Sequence, residues 1–231
     1  MPNDVLVDVV VPAAGAGRRM GADKPKQYLL LDDHTSILEA TLKALSACDK
    51  IGKIIVALSP EDDFFKKLPC AQDPKIHTAV GGKERCDTVF LALKNVCSTY
   101  VMVHDAARPF VALDDLNKLI ALCCDDNGGI LASPVADTLK FSSDLSVEKT
   151  VDRSSLFRAF TPQLFKTSLL IKALEHSFLN HQVVTDEASA MEALGYKPKL
   201  VISRADNFKI TTPADLDMAR AIYQYRKVNL N

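Results

Sequence analysis

The chain has 231 residues, of which 48% are hydrophobic and 25% are charged, a composition that fits one or two folded domains and excludes a disordered chain. Because 28 Lys and Arg residues face 29 Asp and Glu residues, the net charge of −1 gives no general attraction to nucleic acid or to an anionic membrane. An anionic ligand therefore requires a local cluster of cations.

The sequence predicts a cytoplasmic protein without a signal or membrane-spanning segment. The first apolar run, residues 5–11, is interrupted by Asp8 and is too short for a signal peptide, and no apolar run reaches the roughly 18 residues of a membrane span. The six cysteines contain no C-x-x-C pair, so we expect small, buried, reduced thiols without a function. Binding to nucleic acid or to a membrane is not expected.

Strand-like and helix-like segments alternate along the chain. Strands are predicted at 5–11, 54–58, 76–80, 100–104, 130–135 and 199–202. Helices are predicted at 37–47, 84–94 and 113–123, and a further helix is predicted near 163–176. Two more helices are predicted to begin at about 185 and at 213, and a short helix is predicted to begin at residue 60. This alternation indicates a single α/β domain over residues 1–231, with a mostly parallel sheet covered by helices on both faces.

Residues 137–153 interrupt this alternation. Two extended segments with few apolar residues flank Ser142–Ser146, which is the pattern of a β-hairpin. A hairpin this poor in core residues needs a partner, either the body of the domain or a second subunit.

The strongest signal for chemistry is the segment from Val9 to Tyr28. A β-branched strand leads into a loop of Ala and Gly, through which backbone N–H groups can approach a phosphate closely. The loop lacks the third glycine of a dinucleotide fingerprint and the G-K-[ST] of a Walker A motif. Instead, four cations follow within nine residues: Arg18, Arg19, Lys24 and Lys26. We interpret the segment as an anion-binding loop.

A second signal lies at the end of the predicted strand 100–104. Asp105 and Arg108 follow this strand at the carboxyl edge, where open α/β sheets bind ligands. An Asp there can hold Mg²⁺ on phosphates and an Arg can bind a phosphate with two hydrogen bonds, whereas Asp105 could instead cap a turn. His104 is interpreted as a hydrogen-bonded scaffold residue.

The other candidate segments are weaker on their own. Gly81 and Gly82 precede a predicted helix and form a turn with free N–H donors, suited to a base edge or a sugar. Later segments carry hydroxyl groups or cations that could bind a phosphate. The same residues could equally well serve hairpin pairing or helix capping. Thr185 is predicted to be a helix N-cap, and Thr212 is predicted to cap the final helix.

Together these segments resemble a known family, the 2-C-methyl-D-erythritol 4-phosphate cytidylyltransferases. The resemblance covers about residues 7–219 and rests on motifs that occur in the family's order. They are P-A-A-G-A-G-R-R-M-G (12–21), P-K-Q-Y (25–28), G-G-K-E-R (81–85), H-D-A-A-R-P (104–109), P-V-A-D-T-L-K (134–140), T-P-Q-L-F (161–165), T-D-E-A-S-A (185–190) and N-F-K-I-T-T-P-A-D-L (207–216). The resemblance implies a Rossmann-like fold of the nucleotidyltransferase type, with a projecting β-hairpin arm at about 137–156.

The resemblance also implies a reaction and its residues. The phosphate of methylerythritol phosphate would attack the α-phosphorus of CTP and release pyrophosphate, so that the protein must neutralise and align two polyanions. Arg19 and Lys26 would stabilise the transition state, and Arg153 and Lys209 are further catalytic candidates. The nucleotide would be bound by Ala13, Ala14, Gly15, Ala16, Gly17, Lys26, Gly82, Thr88 and Asp105.

For the sugar phosphate, the resemblance implies a second set of residues: Asp105, Arg108, Thr138, Arg153, Thr161, Thr185 and Lys209. Mg²⁺, or another divalent cation, would bridge the phosphates of CTP, either with Asp105 as a ligand or held by the phosphates alone. Members of the family exchange the hairpin arm between the subunits of a homodimer, so Thr138 and Arg153 are predicted to serve the neighbouring site. The family's Trp near the end of the arm is replaced by Phe157, which alters packing and removes no catalytic group.

Two alternatives to this interpretation stay open at the level of sequence. One is a cytidylyltransferase for another polyol phosphate such as ribitol 5-phosphate, against which A-A-G in place of A-G-G and the Asp-Thr-Leu-Lys segment argue. The other is a non-catalytic nucleotide-binding protein of the same fold, against which the presence of all the candidate catalytic residues argues.

Overall fold

The computed structural model describes residues 5–15, 24–122 and 127–229. The strands are β1 (Val7–Pro12), β2 (Ile51–Leu58), β3 (Ile76–Val80), β4 (Tyr100–Val103), β5 (Gly129–Pro134), β6 (Leu139–Phe141), β7 (Lys149–Val151), β8 (Phe157–Lys166) and β9 (Lys199–Ile202). The α-helices are α1 (Ile37–Ser46), α2 (Arg85–Leu93), α3 (Leu113–Ile120), α4 (Thr167–Leu179), α5 (Glu187–Ala193) and α6 (Pro213–Asn229).

Seven strands form one sheet in the order β3-β2-β1-β4-β8-β5-β9. All neighbours pair in parallel except β8, which lies antiparallel to both β4 and β5. The strand order reverses between β1 and β4: the chain runs from β1 outward to β2 and β3, and then returns to place β4 on the other side of β1. Such a reversal opens a crevice at the carboxyl ends of the strands, which is where α/β sheets bind ligands.

Helices cover both faces of the sheet, as the alternating pattern predicts. On one face, Val9 and Val11 of β1 pack in a core with Leu42 of α1 and Leu119 of α3. On the other face, Val10 packs in a second core with residues of α2, α4 and α5. Neighbouring residues of β1 therefore point to opposite, buried faces, which explains why Val9, Val10 and Val11 follow one another without polar residues between them.

Two predicted helices are wrong in part or in full. The segment near 163–166 is the end of strand β8, so the helix predicted from 163 begins at Thr167. The short helix predicted from 60 is a turn followed by 3₁₀ segments at Phe65–Lys67 and Pro69–Gln72. The Asp62 carboxylate accepts hydrogen bonds from the N–H groups of Phe64 and Phe65, which fixes the start of the first 3₁₀ segment.

Two smaller predictions are also wrong. The cap of α5 is Asp186 rather than Thr185, since the Asp186 carboxylate accepts a hydrogen bond from the Ser189 N–H. The cysteines are not uniformly buried, because among the described ones Cys48 is buried whereas Cys97 is exposed.

The predicted arm is a short hairpin in which β6 and β7 pair antiparallel. Most of its side chains are exposed, including Phe141 and Val147, and Leu145 at the tip is fully exposed. Chain segments lead from β5 into the arm and from the arm into β8, and Pro134 of β5 pairs with Phe157 of β8 at its base. The arm is therefore an excursion from the carboxyl edge of the sheet.

Candidate active site

The loop after β1 forms one wall of the crevice. The backbone of Ala13 is fixed by a hydrogen bond from its N–H to the Ala57 carbonyl, and the buried Gln27 side chain donates to the carbonyls of Ala13 and Gly15. The Gln of the P-K-Q-Y segment thus holds the loop that precedes it. The predicted residues Ala16, Gly17 and Arg19 lie outside the described residues.

Lys26 is placed beside this loop by the same segment. Its ammonium group donates to the Ile210 carbonyl at 2.8 Å, which brings it to the chain that carries Lys209. The two predicted catalytic lysines, far apart in sequence, therefore lie on one side of the crevice, and both side chains line it.

The turn between β3 and α2 forms the opposite wall. The Gly82 N–H donates to the hydroxyl of Thr88, and that hydroxyl in turn lies 2.9 Å from the Glu84 carbonyl, so Thr88 fixes the turn that leads into its own helix. A Cβ on Gly82 would lie 2.5 Å from the Cβ of Asp87, and one on Gly81 would lie equally close to the Cβ of Ala14. Both positions need glycine because neighbouring chain segments approach them closely.

The floor of the crevice is a charged cluster around Asp105, which follows β4. One carboxylate oxygen of Asp105 lies 3.1 Å from Arg85 Nε, and the other lies 3.3 Å from Arg108 Nε and 3.0 Å from Lys209 Nζ. Arg85 also binds Glu187 with two hydrogen bonds, of 2.8 and 3.2 Å. Asp105 and Glu187 are buried, so neither charge is screened as it would be in water.

Electrostatics within the cluster keep Asp105 and Arg85 ionised. Burial by itself would raise the pKa of Asp105, but Arg85, Lys209 and Arg108 outweigh it and hold that pKa far below its usual range. Burial likewise disfavours the charge of Arg85, and Glu187 and Asp105 more than compensate, so that its pKa is raised. The cluster therefore presents fixed charges at the edge of the sheet.

A neutral scaffold supports the cluster from below. His104 is fully buried, with one ring nitrogen 3.0 Å from the Thr161 hydroxyl and the other 3.0 Å from the Arg108 carbonyl. Burial lowers the pKa of His104 to about 4, so the ring is neutral at physiological pH. The Thr161 hydroxyl also accepts from the Asp105 N–H, and the Asn207 carbonyl accepts from the Arg108 guanidinium. His104 is a scaffold residue, as the sequence predicts.

Two clefts meet at this cluster. The larger, of about 410 Å³, lies between the loop after β1 and the turn before α2, and the smaller, of about 210 Å³, lies beside β8 and the start of α5. Three side chains line both clefts: Arg85, Asp105 and Lys209. In the larger cleft Lys26, Lys83, Arg85 and Lys209 face two carboxylates, so the local charge is positive although the chain as a whole is nearly neutral.

Most of the predicted site residues that are described line these clefts. The larger cleft contains Ala13, Ala14, Gly15, Lys26, Gly82, Thr88, Asp105 and Lys209. The smaller contains Asp105, Arg108, Thr161, Thr185 and Lys209. Thr138 and Arg153 lie on the exposed arm and line neither cleft of the described chain.

Two residues of the charged cluster escape the sequence analysis. Arg85 belongs to the G-G-K-E-R segment, in which only the glycine turn and the nearby Thr88 are singled out, and Glu187 fits an acidic residue in the first turn of a helix. The neighbours of Glu187 in the sequence could have indicated its role, because α5 continues with the apolar residues Ala188, Ala190 and Met191, which are all buried. A carboxylate on a buried helix face requires a cationic partner.

The described residues contain no group of three or more His, Cys, Asp or Glu side chains arranged to hold a metal ion. Within the described ranges, none of the helices combines the length and the apolarity needed to cross a membrane.

Comparison with known proteins shows the family to which the chain belongs. A family model described as "IspD: 2-C-methyl-D-erythritol 4-phosphate cytidylyltransferase" matches residues 7–225. The chain is 48% identical over 227 residues to the 2-C-methyl-D-erythritol 4-phosphate cytidylyltransferase of Aliivibrio fischeri, covering 96% of this chain and 95% of that protein. It is 50% identical over 213 residues to the protein of that name from Shewanella sediminis, covering 91% of each.

Solved structures show the same fold. The crystal structure of 2-C-methyl-D-erythritol 4-phosphate cytidylyltransferase from Thermus thermophilus superposes with a TM-score of 0.82 at 30% identity, covering 95% of this chain and 100% of that one. The Francisella tularensis structure of the same name gives a TM-score of 0.80 at 35% identity, covering 95% of this chain and 99% of that one. The chain belongs to the 2-C-methyl-D-erythritol 4-phosphate cytidylyltransferase family.

Proposed function

We propose that this protein transfers the cytidylyl group of CTP to 2-C-methyl-D-erythritol 4-phosphate, giving 4-diphosphocytidyl-2-C-methyl-D-erythritol and pyrophosphate in isoprenoid precursor biosynthesis. Family membership supports this activity, and one structural observation supports the mechanism. Arg85, Asp105 and Lys209 form a shared border between two clefts, so that a ligand in each would meet its neighbour there. A group-transfer enzyme needs such a border.

The nucleotide is assigned to the larger cleft. Its phosphates would lie against the backbone after β1. There no atom of the described residues lies within 4 Å of the position that a Cβ on Gly15 would take, which leaves room for a close approach. Lys26, anchored on the Ile210 carbonyl, would stabilise the charge that develops at the α-phosphate. Gly82 and Thr88 would contact the cytosine and its ribose.

The sugar phosphate is assigned to the smaller cleft. Arg108 is held there against the Phe160 ring, with its guanidinium carbon 5.0 Å from the ring centroid, and can bind a phosphate. Lys209 stands at the border, 3.0 Å from Asp105, where it can hold the attacking phosphate oxygen in line with the departing pyrophosphate. The oxygen–phosphorus bond to the sugar phosphate forms as the bond to pyrophosphate breaks.

Mg²⁺ is assigned to the phosphates of CTP rather than to a protein cage. Both oxygens of Asp105 face cations, which leaves this carboxylate suited at most to a single contact with a substrate-bound ion. When bound, the metal would neutralise the phosphates and the pyrophosphate that leaves.

We also propose that the protein is a cytoplasmic homodimer in which the arm of one subunit reaches the site of the other. The support is the exposure of Phe141, Leu145 and Val147 on a hairpin without a core of its own. Arg153 and Thr138 of the arm would then complete the smaller cleft of the neighbouring subunit.

Pyrophosphate release tests the proposal directly. The purified protein is assayed with CTP, Mg²⁺ and a panel of polyol phosphates, with calorimetric titration of CTP in parallel. Turnover is expected with methylerythritol phosphate and not at a comparable rate with ribitol 5-phosphate. Binding of CTP without release of pyrophosphate with any phosphate would instead identify a nucleotide-binding protein.

A further inference from the structure

We propose that Glu187 and Arg85 are positioning residues for the reaction, because Glu187 orients the guanidinium of Arg85 and Arg85 in turn sets the carboxylate of Asp105 at the border of the two clefts. The inference rests on the proposed function and adds two residues to its machinery. It starts from the chain of contacts Glu187–Arg85–Asp105, in which one guanidinium bridges two carboxylates.

The geometry at Arg85 fixes the guanidinium plane. Nη1 and Nη2 donate to the two oxygens of Glu187, and Nε donates to Asp105, so all three nitrogens are engaged. A Lys at this position has only one nitrogen and cannot make both contacts in this geometry. Two carboxylates at opposite ends of a rigid plane are therefore held at a defined separation.

The placement of the two carboxylates explains why this bridge matters. Glu187 is the first residue of α5, is 1% exposed and lines neither cleft, so a substrate bound in either cleft would not contact it. Asp105 stands on the border, where it also holds Lys209 and Arg108. Through Arg85, the position of α5 is thus transmitted to the charges that the two substrates meet.

Burial makes the bridge a requirement for this arrangement. The Arg85 side chain is 29% exposed and Glu187 almost wholly buried, so removal of the Glu187 charge leaves a partly buried cation with a single partner, Asp105. Arg85 would then turn toward Asp105 and compete with Lys209 for its oxygens. Misplacement by about 1 Å at a reacting group can lower a rate by about 10².

Three variants test the inference: Glu187→Gln, Glu187→Ala and Arg85→Lys. Each should lower kcat by about 10- to 100-fold. In the two Glu187 variants KM for CTP should change less than about threefold, because Glu187 does not line the cleft assigned to the nucleotide. Glu187→Gln keeps the volume and one acceptor oxygen, so it should lose less than Glu187→Ala and decides the test where the alanine variant does not fold. The matched control is Glu192→Gln, an exposed residue of the same helix.

A double variant and the folded fraction separate positioning from simple destabilisation. Arg85→Lys with Glu187→Gln should lose little more than the worse of the two single variants, since both break one bridge. Circular dichroism and thermal unfolding report how much of each variant is folded at the assay temperature. Loss of activity only in proportion to the unfolded fraction, or kcat within about twofold of wild type in folded Glu187→Gln and Arg85→Lys, overturns the inference. Absence of turnover in the wild-type protein would instead overturn the proposed function.

Discussion

The crevice and the arm are built on opposite principles. Around Asp105 the charges face opposite charges within about 3 Å, and a fully buried His104 lies beneath them. On the arm the predicted substrate residues Thr138 and Arg153 are exposed, and the hairpin that carries them is only three residues long on each side. The chain therefore fixes the charged side chains at the border between the clefts, whereas it does not fix the side chains of the arm by contacts of this kind. Substitutions in the two regions should differ accordingly in their effects on turnover, on binding and on stability.

The largest effect is expected for Asp105→Asn. The amide leaves Arg85, Arg108 and Lys209 without their common carboxylate, so pyrophosphate release should fall by about 10²–10³ and the free energy of unfolding by about 3 kcal/mol. Urea unfolding and steady-state kinetics measure the two losses. Equal activity and stability to wild type would mean that the cluster is not organised by this carboxylate.

Lys26→Ala should lower kcat at least about 10²-fold while binding of CTP weakens less, as for a lost transition-state donor. Because Lys26 lies at the edge of the cluster and donates to a backbone carbonyl, stability should change much less than in Asp105→Asn. Calorimetry with CTP and pyrophosphate release separate binding from turnover. An unchanged kcat would remove Lys26 from the mechanism.

Acidification should lower the stability of the protein through the buried, neutral His104. The pKa of His104 is lowered to about 4 in the folded protein, against about 6.5 when unfolded, so only the unfolded chain gains this proton between those values. The stabilising contribution is complete above about pH 6.5 and is lost as pH falls toward 4, by about 3 kcal/mol.

Urea unfolding between about pH 7.5 and about pH 4.5 measures this loss. His104→Gln should flatten the pH dependence, whereas the same substitution at the exposed His77 should leave it intact. An equal slope in the wild-type and His104→Gln proteins would contradict the assignment to His104.

The smallest effect is expected on the arm. Arg153→Ala should raise KM for the sugar phosphate about tenfold and leave the free energy of unfolding within about 0.5 kcal/mol. Steady-state kinetics with varied sugar phosphate and with varied CTP distinguish the two Michaelis constants. An increase confined to KM for CTP would contradict the placement of Arg153.

Mixing subunits tests whether the arm acts across a dimer. Half of the dimers in an equal mixture of Lys26→Ala and Arg153→Ala subunits are mixed, and each contains one site with both native residues, so activity should recover to about a quarter of wild type. Each variant alone at low sugar phosphate is the control. Light scattering that shows an active monomer, or no recovery on mixing, would contradict the exchanged arm.

The sequence predicts the crevice well because its residues follow strand ends. Asp105 and the loop at Ala13 each come after an apolar β-strand, and parallel strands bring their carboxyl ends to one edge. Strand β8 is not predicted because Pro162 and Gln163 in its middle are atypical of a strand, and its partners on both sides are what make it one.

The partners within the site are less predictable than its location. The bridge from Arg85 to Glu187 joins residues 102 positions apart, and no local pattern specifies which distant carboxylate a guanidinium meets. The exposed arm is predictable for the opposite reason, since a segment with few apolar residues has no place in a core.

The antiparallel course of β8 has a consequence for how this family can diversify. Because Pro134 and Phe157 pair at the base of the arm, the hairpin enters and leaves the domain at adjacent points, and its length is decoupled from the register of the sheet. The segment between Pro134 and Phe157 can therefore be exchanged as a unit. In the proposed dimer, a chimera that carries a relative's hairpin would pair its subunits as that relative does and would keep its own charged cluster around Asp105.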